Sequence, residues 1–491
     1  MSRVSDLVSD ARTTVRNLAD LAFEASVAAR SFTDYLGSTG LRLGVTGLSR
    51  AGKTVFISAF IQNLIQPGRL PVLRVHAEGR LVGALLEPQP DDAVPRFACE
   101  DHLAALTGGA DGPSARHWPQ STSQISELRL TVEFARASGW RTGNTSLTID
   151  IVDYPGEWLL DLPLLAKSYA QWSAETLEAS AAAARAPFAT EWRAFNAALD
   201  PAALENEETA RIASKLFIAY LRAARDERYA LSTLPPGRFL MPGDLAGSPA
   251  LTFAPLSINS ETRVLPHTMA AMMERRYEAY KNHVVRPFFG DHFARLDRQI
   301  VLVDVLAALN SGPDAVRDLE TAMSDVLTAF RTGRRSIFSA LFRPRIDKIL
   351  FAATKADHLH HTSHDRLEAI LRHLTGRAIA RAESVGADID VIALAAVRAT
   401  REARVRQGRE TIEAIVGTPI AGERIDDQTF DGETEAAIFP GELPSDPSMV
   451  FRGRGLALPP AQNDYRFVRF RPPVAETGAD GKIRTLPHIR L

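Results

Sequence analysis

The spacing of apolar residues predicts the elements at the start of the chain. Apolar residues recur three or four positions apart over 5–34, which predicts one amphipathic helix capped by Ser5 and ended by Gly37. Such a helix either packs on the domain that follows or docks to a partner or a membrane surface. An apolar strand over 41–45 comes next, and a helix with an apolar face follows from Lys53 to about residue 65.

The rest of the chain alternates between strand-like and helix-like patterns. Residues 67–125 are rich in Pro, Gly and Asp and predict an irregular segment with short elements. Strands over 127–134 and 147–152, joined by a turn with Gly139 and Gly143, predict a hairpin. The later predictions are helices over 160–185, 188–198 and 207–225, a Pro/Gly-rich patch over 235–255, strand 300–306, helix 313–330, strand 348–353, helix 366–384, strand 391–397 and a strand-like run over 465–470. This alternation predicts a parallel or mixed sheet with helices on both faces.

Composition and charge exclude several classes of protein. The 491 residues include 57 Lys+Arg and 59 Asp+Glu, a net charge of −2, so the chain as a whole lacks the basic surface that nucleic-acid binding needs. One cysteine, Cys99, cannot form an intramolecular disulfide, which favours a reducing, cytoplasmic compartment. No apolar run reaches the length of about 18 residues that a transmembrane helix requires, and the best candidate, 300–309, contains Asp304.

A complete phosphate-binding motif follows the first predicted strand. Its glycines allow a tight turn in which several backbone N–H groups face one phosphate chain, and the helix that opens at Lys53 adds its N-terminal dipole. Lys53 is expected to contact the β- and γ-phosphates, and the Thr54 hydroxyl to bind Mg²⁺. The motif G-x-x-x-x-G-K-[ST] is formed by Gly47, Leu48, Ser49, Arg50, Ala51, Gly52, Lys53 and Thr54.

An acidic residue at a strand end supplies the expected partner for Mg²⁺. Asp153 follows the apolar strand 147–152 and begins the D-x-x-G sequence that ends at Gly156. Asp153 is predicted to hold Mg²⁺ through water, and the Gly156 N–H to contact the γ-phosphate. Asp150, taken to share a strand face with Asp153, is the second choice. Thr122, ahead of the preceding strand, is the candidate switch threonine that binds Mg²⁺ and the γ-phosphate in the triphosphate state, with an ordinary loop residue as the alternative.

A second loop carries the pattern of a guanine reader. Thr354, Lys355 and Asp357 match [NT]-K-x-D directly after strand 348–353. The Asp357 carboxylate can accept hydrogen bonds from guanine N1–H and its exocyclic amine, a pair that adenine does not offer. The alternative role of Asp357 is a helix N-cap. After the next strand, Ala396 and Val397 are expected to contact the guanine oxygen through their backbone.

Glu157 departs from the usual pattern of an efficient GTPase, in which Gln commonly follows D-x-x-G and orients the attacking water. A carboxylate at Glu157 either acts as a base or leaves hydrolysis slow. Arg50 and Arg116 are candidate sources of positive charge for the transition state, although an arginine at either position is more often a surface residue.

A histidine cluster after Asp357 is interpreted as a solvated loop and the start of a helix. The alternative is a metal site formed by three residues of this segment that lie at helical spacing, His361, His364 and Asp365.

The sequence resembles the YcjX-like family of bacterial phosphate-loop proteins. The resemblance rests on the phosphate loop, the runs 153–158 and 354–357, and two motifs of the Pro/Gly-rich patch, 235–239 and 242–243. It implies a stress-associated GTP-binding protein with a Ras-like or Gα-like core. It also implies a membrane-associated protein partner, and hence a cytoplasmic protein that is soluble or peripheral at the inner membrane.

The combined prediction is an α/β phosphate-loop NTPase core with a large, mostly helical insert. We expect a slow Mg²⁺-dependent GTPase that binds GTP and GDP and acts as a regulatory switch. A non-hydrolysing GTP/GDP sensor and an ATPase or small-molecule kinase are the alternatives. The predicted domains are an N-terminal helix (1–40), a core in two parts (41–156 and 298–424), the helical insert (157–297) and a C-terminal extension that packs on the core (425–491).

Overall fold

The structure is a computed structural model. It describes residues 40–47, 50–66, 70, 73–136, 143–226, 231–258, 264–329, 346, 348–383, 388–407, 410–451, 465–476 and 485–490. The predicted helix over 5–34, the loop residues Leu48 and Ser49, and most of the predicted hairpin turn, 137–142, lie outside these residues.

A seven-stranded sheet, in the order β2-β3-β4-β1-β5-β6-β7, forms the centre of the fold. Strands β4, β1, β5, β6 and β7 run parallel, whereas β2 and β3 pair antiparallel at one edge. The strands are β1 (Gly40–Gly47), β2 (Leu81–Glu87), β3 (Ser126–Ala135), β4 (Asn144–Asp153), β5 (Arg298–Val303), β6 (Lys348–Ala353) and β7 (Asp388–Ala393). The expected α/β fold with a mostly parallel sheet is therefore confirmed, as is the hairpin of β3 and β4.

Helices cover both faces of this sheet because side chains on one strand point alternately to opposite sides. On β5, Val301 and Val303 belong to one buried cluster, whereas Leu302 belongs to another. The Leu302 side packs on α1 (Lys53–Ile65) and α2 (Cys99–Thr107). The Val301 side packs on three helices, which are α7 (Val305–Ser311), α8 (Pro313–Ala329) and α9 (His364–Glu383).

The segment between β4 and β5 is mostly helical and has an aromatic core. It contains a 3₁₀ helix (Gly156–Ala166), α3 (Tyr169–Ala181), α4 (Ala186–Ala198), α5 (Glu207–Ala224) and α6 (Met269–Tyr280), which continues through a π-helical turn (Lys281–Val285) into Arg286–Asp291. Rings at Trp172 and Tyr277 stack 5.1 Å apart, and Trp192 stacks on Tyr220 at 5.4 Å. These residues belong to the same buried cluster as Val301 and Val303.

Several element boundaries differ from the sequence prediction. The helix predicted from residue 160 begins only at Tyr169, because Pro163 interrupts regular α-helical bonding and Ser168 caps the later start. Strand β5 ends at Val303 because Asp304 caps α7 by accepting a 3.1 Å hydrogen bond from the Ala307 N–H. Strand β7 ends at Ala393, four residues before the predicted end.

The C-terminal part forms a small antiparallel sheet that the sequence analysis did not predict. Its strands are β8 (Arg401–Gln407), β9 (Glu410–Gly417) and β12 (Ala436–Ile438), beside a short pair, β10 (Arg424–Ile425) and β11 (Gln428–Thr429). The predicted strand over 465–470 is wrong, since only Phe470 pairs there, through one bridge to Pro419. Among the described residues, no helix combines the length and the apolar character needed to cross a bilayer.

Candidate nucleotide-binding site

The phosphate loop connects β1 to α1, as its sequence predicts. Gly47 must lack a side chain, because a Cβ there would lie 2.6 Å from the Leu302 carbonyl oxygen on the neighbouring strand. Gly52 and Arg50 both have left-handed backbone angles, with φ of 83° and 63°. Helix α1 then begins at Lys53, so its unpaired N-terminal N–H groups lie at the loop. This geometry suits a phosphate group.

Three oxygen-bearing side chains from separate segments meet beside this loop. The Thr54 and Thr122 hydroxyl oxygens are 3.2 Å apart, and the Thr122 hydroxyl donates a 2.6 Å hydrogen bond to Asp153 Oδ2. Asp153 is the last residue of β4 and is 1% exposed. Its other oxygen, Oδ1, is buried with no hydrogen-bond partner among the described residues. These oxygen ligands, among them one carboxylate oxygen that lacks a hydrogen-bond partner, fit a hard divalent cation such as Mg²⁺.

The burial of Asp153 disfavours its charged form, which a bound cation would stabilise. Burial raises the pKa of Asp153 to about 6, although the charge of Lys53 and the hydrogen bond from Thr122 oppose this rise. Asp150, the second choice for this role, is excluded by its position: it lies three residues earlier, on the opposite face of β4. Its carboxylate forms a bidentate pair with Arg129, at 2.6 and 2.8 Å.

The turn after Asp153 is enclosed by the Pro/Gly-rich patch. Gly156 begins the 3₁₀ helix, and a Cβ at Gly237 would lie 1.8 Å from the Glu157 carbonyl oxygen. The Arg238 guanidinium lies 3.2 Å from the centre of the Trp158 indole. Two motifs that are about 80 residues apart in sequence are therefore in direct backbone contact.

Glu157 is paired with an arginine that the sequence analysis did not identify. Its carboxylate is buried and accepts a hydrogen bond from Arg225, the residue that follows α5. Burial, followed by the like charges of Arg225 and Arg469, lowers the pKa of Arg50, so these three arginines lie in one electrostatic neighbourhood. By contrast, Arg116 donates its hydrogen bonds to the carbonyls of Pro113 and Pro472.

The predicted guanine reader lies at the end of β6. Lys355 has a left-handed φ of 60°, and its ammonium pairs with Asp304 at 2.5 Å. Asp357 is 4% exposed, and its Oδ2 accepts a 2.8 Å hydrogen bond from the Ala399 N–H. The N-cap alternative for Asp357 is wrong, because α9 begins only at His364.

The chain after β7 lies beside the loop predicted to read guanine. The Ala356 N–H donates to the Leu394 carbonyl at 3.0 Å, which places the segment with Ala396 and Val397 next to residues 354–357. Ala395 pairs with Ile489 near the C-terminal end. Val397 is 5% exposed and packs with Leu486.

Asp304 could have been identified from the sequence by the signal that identified Asp153, an acidic residue at the end of a buried apolar strand. Arg225 gave no such signal.

The prediction of a solvated histidine loop is wrong, because His358, His360 and His364 are all buried. The alternative trio is not assembled either: His364 Nε2 contacts the Ala356 carbonyl at 2.8 Å, and Asp365 is exposed beside Arg490.

The chain matches the YcjX-like family, DUF463, over residues 41–491. It is 38% identical over 463 residues to "Ras-like GTPase YcjX" of Escherichia coli (strain K12), covering 92% of this chain and 93% of that protein. It is 33% identical over 477 residues to the protein of the same name from Shewanella oneidensis, covering 92% of each chain. The chain therefore belongs to the YcjX-like family.

Proposed function

We propose that this protein is a Mg²⁺-dependent GTPase that converts GTP and water to GDP and phosphate. The observation that carries the proposal is the meeting of Thr54, Thr122 and Asp153 beside the phosphate loop. The order of the motifs along the chain and the name shared by the two relatives both support it. In such a reaction the protein contributes positioning and electrostatic stabilisation rather than covalent chemistry.

The phosphate-binding roles are those that the loop motif predicts. The Lys53 ammonium contacts the β- and γ-phosphates. The other residues assigned to phosphate binding are those of the loop, Gly47, Ser49, Arg50, Ala51 and Gly52. Thr54, Thr122 and Asp153 hold Mg²⁺, whose charge offsets that of the phosphate oxygens. The Gly156 N–H, at the start of the 3₁₀ helix, contacts the γ-phosphate. Thr122 is the residue that distinguishes the triphosphate from the diphosphate.

Guanine recognition is assigned to Asp357, with Thr354 and Lys355 shaping the loop around it. The Ala399 N–H holds one carboxylate oxygen, and this bond orients the group for the two guanine donors. The Lys355–Asp304 ion pair holds the lysine stem at the end of β6, where it covers the base plane. Ala396 and Val397 supply backbone contacts to the guanine oxygen.

Glu157 is the candidate for orienting the attacking water. Arg225 offsets the negative charge of the Glu157 carboxylate. An ionised carboxylate close to a γ-phosphate is repelled, but the buried pair with Arg225 neutralises that charge. The same pair occupies the carboxylate, which favours slow intrinsic hydrolysis. This engagement is also the observation that favours the second candidate, a GTP/GDP sensor that does not hydrolyse its ligand.

A regulatory role completes the proposal. We propose that residues 41–156 and 298–424 form the GTPase core, that the helical insert 157–297 reports the nucleotide state, and that residues 425–491 pack on the core. The family resemblance supports a role in a bacterial stress response, with a protein effector that is associated with the inner membrane. The single cysteine favours a cytoplasmic location, and the net charge of −2 gives no support for a nucleic-acid partner.

Calorimetry with GTP, GDP and ATP in Mg²⁺, on the wild type and Asp357→Ala, tests nucleotide choice. We expect tight binding of GTP and GDP, little binding of ATP, and loss of guanine preference in the variant. Equal affinities for ATP and GTP that Asp357→Ala leaves unchanged would instead support an ATPase. Phosphate release from GTP then separates the enzyme from the sensor, since a sensor binds GTP without turnover above background.

A further inference from the structure

A second group of metal-capable side chains lies away from the phosphate loop, where the loop after Asp357 meets strand β8. His360, His361 and Glu402 each offer one ligand atom, and these three atoms lie within 4.8 Å of one another. Two are neighbours in sequence, but Glu402 lies more than 40 residues later. The fold, rather than the local sequence, therefore assembles the group.

The distances in this group suit a tetrahedral ion. Zn²⁺ binds His nitrogen and carboxylate oxygen at about 2.1 Å, so two tetrahedral ligand atoms lie about 3.4 Å apart. Glu402 Oε2 is 2.8 Å from His361 Nδ1 and 3.9 Å from His360 Nε2, values that bracket this separation. Small side-chain movements would bring both nitrogens to the ideal distance.

The environment of His360 is an independent indication of a metal ligand. Its Nδ1 lies 3.2 Å from Glu413 Oε2 on β9 and 3.0 Å from the Thr362 hydroxyl, which itself donates to Glu413 at 2.8 Å. A proton on Nδ1 satisfies this carboxylate and leaves the Nε2 lone pair facing Glu402. Metal-binding histidines usually have this arrangement, in which a carboxylate holds the ring nitrogen opposite the metal. His360 is also buried, so packing holds its ring.

Glu402 is held in place as well. Its Oε1 accepts a 3.2 Å hydrogen bond from the His361 backbone N–H and lies 3.8 Å from an Arg398 nitrogen. Its Oε2 is thereby directed between the two imidazoles. Nearby His358 does not belong to this group, since its ring packs edge-on against Phe470.

We propose that His360, His361 and Glu402 form a binding site for Zn²⁺ or a similar borderline divalent cation, with Glu413 as the outer partner that orients His360. Two imidazoles and one carboxylate are a ligand set that zinc accepts, and a fourth position remains for water. The ion joins the loop that follows Asp357 to β8. The site does not depend on the proposed GTPase activity.

Zinc titration of the full-length protein by calorimetry tests this site. The protein is first treated with chelator and freed of nucleotide, so that Zn²⁺ is the only ligand. We expect one equivalent to bind and to raise the melting temperature. His361→Ala is the primary variant, because this side chain is 61% exposed and its removal leaves the fold intact. It should abolish binding, as should Glu402→Gln, whereas Glu413→Gln should weaken binding by about tenfold.

Two control variants distinguish zinc bound at this site from zinc bound elsewhere on the protein. His267→Ala removes an exposed histidine that also pairs with a glutamate, Glu205 at 3.3 Å, and should leave zinc binding unchanged. Asp153→Asn removes the carboxylate of the proposed Mg²⁺ site and should do the same. The proposal is overturned if the wild type binds no zinc, or if His361→Ala binds as tightly as the wild type. Loss of binding in Asp153→Asn alone would place the ion at the phosphate loop and overturn it equally.

Discussion

The Thr122 hydroxyl donates a 2.6 Å hydrogen bond to Asp153, a residue from which it is separated by 31 positions and by the whole β3–β4 hairpin. Thr122 lies in a loop without regular structure, whereas Asp153 ends a buried strand. The loop is therefore attached to the sheet edge at the point where the γ-phosphate and Mg²⁺ of the proposed substrate complex would meet. Residues that respond to the nucleotide state are expected at such a junction.

Replacing Asp153 should stabilise the ligand-free protein while removing function. The rise in its pKa from 3.8 to about 6 corresponds to a loss of at most about 3 kcal/mol in the free energy of unfolding at neutral pH. The folded carboxyl keeps its proton to a higher pH than the unfolded one, so this loss of stability develops as pH rises from about 4 to about 6. Asp153→Asn removes the loss, and urea unfolding at pH 7 without Mg²⁺ should give a higher free energy of unfolding.

The same pKa predicts the pH dependence of cation binding. Mg²⁺ binds the ionised carboxylate, so Mg²⁺-dependent GTP affinity should fall as pH decreases through about 6. Asp153→Asn should bind GTP without Mg²⁺ dependence at any pH. A variant that unfolds more easily than the wild type at pH 7, or that keeps its Mg²⁺ dependence, would contradict the role assigned to Asp153.

Asp357→Asn should change the base preference rather than abolish binding. The Asn amide presents a donor where the carboxylate presents an acceptor, so it clashes with the guanine donors. Xanthine has a carbonyl in place of the guanine exocyclic amine and should accept from this amide. Competition between GDP and XDP, measured by fluorescence, should move toward XDP by at least about tenfold, or about 1.4 kcal/mol. Retained GDP preference would show that another group reads the base.

Arg225→Ala should impair both stability and hydrolysis. It leaves the Glu157 carboxylate buried without its partner, which costs up to about 3 kcal/mol for a largely buried pair. Phosphate release should also slow by about tenfold or more, because repulsion between the unpaired carboxylate and the γ-phosphate outweighs the gain from freeing that carboxylate to orient water. The matched control is Arg222→Ala, an exposed arginine one turn earlier on α5, which should change neither quantity.

A double-mutant cycle with Glu157→Gln separates the two effects of Arg225. Removing the charge of Glu157 should restore most of the stability lost in Arg225→Ala, since no uncompensated charge then remains. If the double variant is as unstable as the sum of the single changes, Arg225 acts through packing instead of through Glu157.

Gly237→Ala should be strongly destabilising, because its Cβ would lie 1.8 Å from the Glu157 carbonyl oxygen, a backbone atom with little freedom to move. We expect a loss of about 3 kcal/mol or more, at or above the upper end of the range of roughly 1–3 kcal/mol for overpacked cores. Gly376→Ala in α9 is the matched control: apart from its chain neighbours and the backbone of its own helix, no atom of the described residues lies within 4 Å of the added Cβ. That substitution should stabilise the helix by up to about 1 kcal/mol, measured by thermal unfolding.

The sequence predicted those features that depend on neighbouring residues. The phosphate loop, Asp153 and Asp357 each directly follow or end an apolar strand, and parallel strands bring their carboxyl ends to one edge of the sheet. Thr122 was identified in the same way, by its place ahead of β3. The predictions that extended strands too far, to residues 306 and 397, relied on apolar character alone and ignored the capping ability of Asp304.

Features that depend on distant contacts were not predictable in this way. The Glu157–Arg225 pair joins residues 68 positions apart, and no periodicity marks either one. The histidines after Asp357 are polar and clustered, which predicted exposure, yet the β8–β9 hairpin buries His360 and supplies Glu402 and Glu413. That hairpin went unpredicted because β8 contains a single β-branched residue, Val405, among mostly charged residues and gives a weak strand signal.

The close contact between Gly237 and Glu157 has a thermodynamic consequence. Because the two backbones touch, the turn at Gly156 cannot shift without a shift in the 237–243 segment. Linkage is reciprocal, so in the proposed nucleotide complex a molecule whose binding displaces Gly237 alters nucleotide affinity by the factor with which the nucleotide alters its own. If the Gly156 turn contacts the γ-phosphate as proposed, the helical segment would receive cellular signals as well as send them.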